Sequence, residues 1–361
     1  MRVRFLFLTA LLGLFSISGF AQTIYRVQAG QSLPNALTTA AAGDIIYVDG
    51  GIYGDITISK QVTLIGTGYF AAVGAAPTGE ARLGIVRFIP GAAGSLLTGF
   101  VTTGELSVGA SNVTIVRNLI GGSVYLGYAP GIGSAGWGAT ANNVTVRQNF
   151  IDGELMAAQT QGTGTVLNFS FRNNIVRNGF LIGSPQIAGE FVNNTFGYAF
   201  DAGSYTSYNS PQDGSCLLIT SVRFRNNIFV QSAAGFCAML RTPSVVPPVF
   251  IGNVMLIDVA FPNVIIPGTR LTAAQLDNLF VGRPIQGNMP AMAPDARAQL
   301  KAGSVALTAG EGGTQAGAFG GDDPYVLSGI PFIPSITELT VPPTVTQGGT
   351  LNITVKAQSN N

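Results

Sequence analysis

One alternation of apolar and polar positions recurs six times between Val113 and Met255. Each copy reads apolar, any residue, apolar, any two residues, Asn, any residue, apolar. The six asparagines are Asn118, Asn149, Asn174, Asn194, Asn227 and Asn253. The positions three before and two after each Asn are apolar in every copy. A period of two residues predicts strands rather than helices, and an internal repeat with this spacing predicts a solenoid.

The repeat also predicts how each coil of the solenoid turns. Strands such as Val113-Thr-Ile-Val-Arg point apolar side chains inward, and the Asn that follows tolerates the left-handed conformation of a sharp corner. Stacked asparagines can hydrogen-bond along the axis. A Gly-rich turn then leads to a third strand, as in Ser123-Val-Tyr-Leu and Glu154-Leu-Met. These features predict an all-β, right-handed parallel β-helix. The alternative, a β-sandwich, needs hairpin signals that are scarce here.

The two ends of the solenoid have their own patterns. Residues 31–42 predict a short amphipathic helix that covers the N-terminal end of the apolar cylinder. From Asp322 the chain becomes rich in Pro, and Ile336 to Val341 and Leu351 to Val355 could be strands. We expect this C-terminal segment to be extended and to run back over the helix or to cap it. The predicted division is therefore a signal peptide at 1–21, a β-helix domain at 22–321 and this segment at 322–361.

The first residues have the features of an export signal. Arg2 and Arg4 precede an apolar stretch from Phe5 to Phe20, and small residues surround the expected cleavage point after Ala21. A retained anchor is the alternative, but the stretch is shorter than the roughly 20 residues of a membrane span. We therefore predict an exported protein, extracellular or on the cell surface, with the periplasm as the alternative, and no membrane span in the mature chain.

Export changes the interpretation of the two cysteines, Cys216 and Cys237. In an oxidising compartment they are candidates for a disulfide, and two buried free thiols are the alternative. The sequence contains no His, so neither a metal site nor a cofactor is expected. Its 18 basic and 17 acidic residues leave a net charge of +1, which gives no basic surface for a nucleic-acid partner.

Candidate chemistry lies in the long loops that follow the third strands. Loops at one corner of a solenoid share one side of it, so their aromatic rings could line a groove that binds sugars by stacking. The candidate ligand-binding residues are Tyr128, Trp137, Tyr205 and Tyr208. The alternative is that these rings pack the loops onto the helix. The expected partner is a polysaccharide or a glycan of the cell envelope.

Catalysis would need two groups at a defined separation. The candidate catalytic residues are Asp201, Asp213 and Arg241, all in the predicted loops. Two other acidic pairs, Asp152 with Glu154 and Asp322 with Asp323, are more simply explained as turns.

Two stretches resemble a known group of proteins. "SLPNALTTAAAGDIIYVDGGIYGDITISKQVTLIG" resembles the opening, and "LKAGSVALTAG…GAFGG" the closing coils, of secreted β-helix proteins of the pectin-lyase-like superfamily. The C-terminal segment resembles the tails of such proteins from Bacteroidetes-like bacteria. With the Asn repeat, the resemblance covers residues 24–321 and implies the fold. It does not imply one function, since this superfamily holds lyases, glycosidases and noncatalytic surface proteins.

The enzyme signatures of that superfamily are missing. Polygalacturonase-like enzymes carry a Gly-His-Gly motif, and this chain has no His. Pectate-lyase-like enzymes carry an Arg-x-Pro-x-x-Arg motif, whereas Arg241-Thr-Pro has no second Arg three residues on. The sequence therefore favours an exported noncatalytic module that binds glycan or serves as a scaffold. The alternatives are a polysaccharide lyase or glycoside hydrolase acting through the loop side, and a fibre-like homotrimer.

Overall fold

Strands of this chain stack into three long sheets that wind around one apolar core. The computed structural model describes residues 22–70, 79–129, 136–157, 164–177, 180–182, 187–197, 221–230, 249–256, 268–282, 292–344 and 347–358. Every pairing within the three sheets is parallel. Each strand is hydrogen-bonded to the equivalent strand of the next coil, which confirms the right-handed parallel β-helix.

The sheets are named here in the order in which a coil meets them. The first sheet contains Ile24–Val27, Ile45–Val48, Thr63–Ile65, Leu96–Thr98, Thr114–Val116, Thr145–Arg147, Val166–Arg172, Ile187–Val192, Ser221–Arg225 and Val249–Ile251. The second contains Gly51–Ile52, Ala81–Leu83, Phe100–Thr102, Leu119–Ile120, Phe150–Ile151, Ile175–Val176, Thr195–Phe196, Ile228–Phe229, Asn253–Leu256 and Gly268–Leu271. The third contains Ile56–Ile58, Val86–Phe88, Leu106–Val108, Val124–Leu126, Leu155–Ala157 and Phe180–Ile182.

The core is built from the apolar positions of the repeat. The apolar residues at the position three before each Asn pair with one another across the first sheet and point inward. In the later coils they are Phe rings in register: Phe224 stacks on Phe191 at 4.9 Å and on Phe250 at 4.8 Å between centroids. The positions two after each Asn form a second buried row in the same cluster. The register predicted from the sequence is therefore confirmed.

The repeated asparagines form a buried ladder between the first and second sheets. The side-chain oxygen of Asn174 accepts from the backbone N–H of Asn149 at 3.0 Å and from its Nδ2 at 3.0 Å. Asn174 in turn donates to the Val146 carbonyl at 2.9 Å and to Asn194 at 3.0 Å. Equivalent bonds link all six residues from Asn118 to Asn253. The predicted stacking along the axis is confirmed.

The backbone of the corner differs from the prediction. The left-handed conformation falls on the residue before each ladder Asn, not on the Asn itself. These residues are Arg117, Gln148, Asn173, Asn193, Asn226 and Gly252, with φ between 52° and 62°. The reason is geometric: the ladder Asn must point its amide inward to reach the next coil, so the preceding residue makes the turn. The side chain of that residue then points outward.

A short helix covers the N-terminal end of the cylinder, as predicted. It spans Leu33–Thr39 and begins at Ser32, whose Oγ accepts from the Asn35 N–H at 3.3 Å. Leu33 and Leu37 are buried and belong to the inner core. Its apolar stripe therefore closes a core that the first coil alone leaves open.

Residues 292–334 form a segment, here called the strap, that runs back along the coils. It meets the outward side chains of the left-handed residues in reverse order. Glu311 N–H donates to Asn226 at 2.8 Å, Asn173 donates to the Gly320 carbonyl at 2.7 Å, and Arg117 donates to the Ile330 carbonyl at 2.9 Å. The sequence predicts such a return from Asp322 onward, and in the structure it is already under way at Glu311.

The strap also covers the outer face of the second sheet. Val101, Phe150 and Ile175 on that face share a second buried cluster with Ala306 and Tyr325 of the strap. Residues 300–321, which resemble closing coils in sequence, contribute no strand to the three sheets. They contain instead the 3₁₀ turns Val305–Leu307 and Glu311–Gly313.

The remaining elements are short. Ala273–Asp277 is an α-helix, and Pro90–Ala92, Ala296–Ala298 and Leu327–Gly329 are 3₁₀ turns. Ser335–Thr340 and Thr354–Gln358 pair antiparallel as a C-terminal hairpin. Within the described ranges, no helix has the length and apolar character needed to cross a membrane.

The three sheets therefore present different outer faces. The first is polar along a row in register, made of Thr114, Thr145, Ser170, Glu190 and Arg223. The second lies under the strap. The third carries an aromatic loop and is described next.

Candidate functional site

Three aromatic side chains meet on the outer face of the third sheet. Tyr125 is the middle residue of the strand Val124–Leu126, so the alternation of the strand points it outward, between Ser107 and Met156 in the register. Tyr128 and Trp137 come from the loop that follows and pair with each other through an isolated antiparallel bridge. We call Tyr125, Tyr128 and Trp137 the aromatic cluster.

Glycines allow the loop to fold back tightly onto the sheet. The Ala129 N–H donates to the Gly136 carbonyl at 2.8 Å, and the Gly138 N–H donates to the Gly127 carbonyl at 3.2 Å. Gly136 has a φ of 86°, and a Cβ there would lie 2.7 Å from a ring carbon of Tyr128. Only glycine therefore permits both the turn and the position of the Tyr128 ring.

The rings pack edge against face rather than in one plane. The centroids of Tyr128 and Trp137 are 5.0 Å apart at an interplanar angle of 66°. Tyr125 lies 5.6 Å from Tyr128 at 43° and 5.8 Å from Trp137 at 61°. All three are half-buried. The cluster therefore anchors the loop, as the packing alternative expects, and it also leaves part of each ring exposed to solvent.

Two glutamates stand beside the cluster, one on each side of the Tyr125 strand. Glu105, Ser123 and Glu154 occupy equivalent positions just before three successive strands of the third sheet, as the bonds from Leu106 N–H to Ser123 O and from Val124 N–H to Glu154 O show. Glu105 and Glu154 are thus two strand spacings apart, so their backbones are about 9.5 Å from each other across the sheet. We call them the carboxylate pair.

The electrostatics of these groups are linked. Burial raises the pKa of the Tyr125 phenol, and the Glu105 and Glu154 carboxylates raise it further, while a hydrogen bond from Ser123 opposes them. Burial also raises the pKa of Glu154. Both carboxylates therefore act on the same ring.

One buried hydroxyl, that of Ser107, lies beneath the cluster. Ser107 is fully buried, and its Oγ has no hydrogen-bond partner in the described part of the chain. An unpaired buried hydroxyl costs about 1–3 kcal/mol. The Arg87 side chain, the next member of the same row, is turned to Asp55 at 3.8 Å.

Only two of the predicted site residues lie in the described part of the structure. Tyr128 and Trp137 come together as described above. Tyr205, Tyr208, Asp201, Asp213 and Arg241 lie outside the described residues, as do Cys216 and Cys237. Their predicted roles and the predicted disulfide remain predictions.

The other acidic pairs are divided among different surroundings. Asp152 pairs with Arg177 of the next coil at 3.2 Å, whereas Glu154 belongs to the third-sheet row. Asp323 of the strap pairs with Arg147 at 2.6 Å and accepts from Gln148 at 2.7 Å, so its role is to hold the strap. Among the described residues, no group of three or more Cys, Asp or Glu side chains is placed to hold a metal ion.

Tyr125 and Glu105 are site residues that the sequence analysis missed. Both become visible when the third strands are aligned with one another, as the Asn repeat aligns the first. Ser123-Val-Tyr-Leu then lies beside Glu105-Leu-Ser-Val and Glu154-Leu-Met-Ala. The third strands lack an invariant residue such as the ladder Asn to set that alignment.

Comparisons with known proteins add little to this geometry. No protein-family model matches the sequence, and no curated protein is similar to it. Among solved structures, a mutant of the PL6 family alginate lyase AlyGC is similar, with a TM-score of 0.23 and 14% identity. The match covers 85% of this chain and 58% of that one, less than two thirds of its length. A TM-score this low carries no argument, so the β-helix assignment rests on the three parallel sheets themselves.

Proposed function

We propose that the chain is a noncatalytic, exported glycan-binding β-helix protein and that the aromatic cluster is its binding surface. The observation that carries this proposal is the convergence of three half-buried rings with two carboxylates on the outer face of the third sheet. Aromatic faces stack on the apolar faces of sugars, and carboxylates accept hydrogen bonds from their hydroxyls. The resemblance to secreted pectin-lyase-like proteins agrees with this role.

The rigidity of the cluster favours binding further. Because each ring is held by the other two and by the loop backbone, little side-chain freedom would be lost when a sugar is bound. A loop that served packing alone would gain most by burying its rings completely, whereas these stay half-buried.

A glycan array probed with the full chain tests the proposal. We expect binding to a subset of glycans, reduced at least about tenfold in Trp137→Ala and in Tyr125→Ala, because each removes ring surface. Tyr47→Ala, which removes a half-buried ring from the first sheet, is the matched control and should bind as the parent does. Binding unaffected by the two cluster variants would place the site elsewhere.

Glycoside hydrolysis is a second candidate, supported by the carboxylate pair. Inverting glycosidases hold two carboxyl groups about 6.5–9.5 Å apart, one of them with a raised pKa that lets it act as the acid. The burial of Glu154 works in that direction. Assays for reducing ends and for unsaturated ends on every bound glycan distinguish the two candidates. Release of reducing ends that is lost in Glu154→Gln would replace the noncatalytic proposal, and unsaturated ends would indicate a lyase.

A further inference from the structure

The carboxylate pair beside the aromatic cluster points to a narrower class of ligand. This inference rests on the proposed glycan binding and adds the charge of the preferred glycan. Seven carboxylates of the described chain outside the site are paired with arginines: Asp49, Asp55, Glu80, Asp152, Glu190, Glu311 and Asp323. Neither Glu105 nor Glu154 takes part in an ion pair with a described residue. The two carboxylates beside the rings are therefore not neutralised by a described cation.

The cations nearest in the sheet are turned away. Arg87 lies two strands before Tyr125 in the same outward row, and its guanidinium faces Asp55 at the preceding coil. Met156, on the other side of Tyr125, is uncharged. A ligand at the cluster would thus meet partly exposed rings and two carboxylates, without a compensating cation among the described residues of this row.

Both kinds of group favour the same ligand charge. Aromatic faces attract cations because of their quadrupole, and three partly exposed rings lie within 6 Å of one another between centroids. Half-buried carboxylates without an ion-pair partner attract a cation and repel an anion. The partial desolvation of Glu154 strengthens this preference, because charges interact more strongly where water is scarce.

We propose that the aromatic cluster binds glycans whose sugars carry a free protonated amine and discriminates against glycans of uronic acids. An ammonium group would lie between the carboxylate pair and the rings, with the apolar face of the same sugar against Trp137. Acetylation of the amine would remove the charge while preserving the sugar ring, so it separates the two contributions. A uronate would bring a carboxylate toward Glu105 and Glu154.

Titration calorimetry with three oligosaccharides of equal length tests this selectivity. The probes are an oligomer of glucosamine, an oligomer of N-acetylglucosamine and an oligomer of galacturonate, at a pH where the amines are protonated. We expect the full chain to bind the glucosamine oligomer about tenfold more tightly than its acetylated counterpart. The galacturonate oligomer should bind least. Of the three oligomers, only the glucosamine oligomer should bind more weakly when salt is added.

Removing the two carboxylates provides the decisive variant. Glu105→Gln combined with Glu154→Gln should abolish the preference for the amine and retain binding of the acetylated oligomer. Glu311→Gln combined with Glu338→Gln removes the same number of charges from the strap and the hairpin and should leave the preference unchanged. Thermal unfolding of both double variants checks that each is folded.

The outcomes separate this inference from the function on which it rests. Equal binding of the charged and acetylated oligomers, tighter binding of galacturonate, or an amine preference that survives loss of both carboxylates would overturn the charge selectivity and leave glycan binding intact. Absence of binding to these oligomers and to every glycan on the array would overturn both proposals.

Discussion

The corner between the first and second sheets repeats one residue in successive coils, whereas the corner that leads into the third sheet does not. At the Asn corner, between the first and second sheets, each coil repeats the same residue, and every ladder amide is bonded to its neighbours and buried. At the start of the third sheet, the equivalent positions hold Glu105, Ser123 and Glu154, and the strand after Ser123 leads into the loop that carries Tyr128 and Trp137. The first corner is also covered by the strap.

The difference separates what the chain needs for folding from what it has available for binding. A repeated residue whose bonds are all made within the stack has no capacity left for a ligand. In a row of unlike residues only some side chains are bonded to the next coil, as Ser123 is to the Glu154 N–H, so Glu105 and Glu154 are available for the proposed binding. Variants at the two corners should therefore differ in kind: stability changes at the Asn corner, and binding changes with nearly normal stability at the third sheet.

The largest expected effect comes from a charge in the core of the repeat. Phe224→Asp buries an unpaired carboxylate between the rings of Phe191 and Phe250, and we expect a loss of about 4 kcal/mol or more in the free energy of unfolding. Thr145→Asp, on the outer face of the same sheet, should change it by less than about 0.5 kcal/mol. Urea denaturation measures both. Equal tolerance of the two changes would contradict the register of the first sheet.

The ladder itself gives the next largest effect. Asn174→Ala leaves the buried Asn149 backbone N–H without its acceptor and removes the Asn174 donor from the Val146 carbonyl. We expect a loss of about 3 kcal/mol. An exposed row of left-handed asparagines, in which Asn143 donates to Asn112 at 3.0 Å, supplies the control. Asn143→Gly keeps the backbone conformation and should cost less than about 1 kcal/mol.

Those two predictions depend on features that the sequence reveals well. The Asn repeat fixes the register of the first two sheets because its residues recur at constant offsets, and the buried ladder follows from the same regularity. The conformation of the corner did not follow, since Asn favours the left-handed region in general and nothing local shows that Arg117 or Gln148 takes it instead. The long-range packing of the ladder amides decides that point.

The proposed binding surface was only half predictable. Trp137 and Tyr128 are conspicuous in a Gly-rich loop, so a glycan-binding role could be predicted for them. Tyr125 looks like any strand residue until the third strands are aligned. The sequence predicts a return over the helix from Asp322 but not the earlier start of the strap, because its contacts with Asn173 and Asn226 join residues far apart in the chain through backbone groups that any sequence possesses.

The attachment of the strap gives a smaller effect that sharpens the contrast between the corners. Phe332 lies under two guanidiniums, with the Arg117 carbon 3.7 Å and the Arg147 carbon 5.1 Å from its ring centroid. Burial and the nearby Arg147 charge lower the pKa of Arg117 to about 10. The two cations therefore repel each other, and their attraction to the face of the Phe332 ring offsets part of that repulsion. We expect Phe332→Ala to cost about 1–2 kcal/mol and to open the strap locally.

Hydrogen exchange of the strap amides measures that opening. The Tyr325 and Gly329 N–H groups, which bond to Ala318 and Val326 in the closed strap, should exchange faster in Phe332→Ala. Phe332→Leu, which keeps apolar volume and loses the ring, should lie between the parent and the Ala variant. Glycan binding at the third sheet should be unaffected by either change, and a loss of binding there would link the two sides of the molecule.

The smallest effect is a pH dependence of the strap. Asp295 is buried, and its carboxylate accepts from the Ser328 N–H at 2.6 Å and from the Tyr325 hydroxyl at 3.3 Å. Burial raises its pKa above the ordinary value of 3.8, although the hydrogen bonds oppose the shift. The folded protein therefore takes up this proton more readily than the unfolded chain. Its contribution to stability is fully present below the unfolded-state pKa and is lost as the pH rises through the folded-state pKa.

Comparison with Asp295→Asn isolates this contribution, because the variant cannot titrate while the other carboxylates remain. The amide offers one acceptor oxygen instead of two, so the variant also loses a hydrogen bond, but that loss is the same at every pH. As the pH rises from about 4 to about 7, the melting temperature of the parent should fall relative to that of the variant. Parallel curves, or a parent that gains on the variant, would mean that the Ser328 and Tyr325 bonds outweigh burial and that the strap, like the Asn ladder, satisfies its polar groups fully.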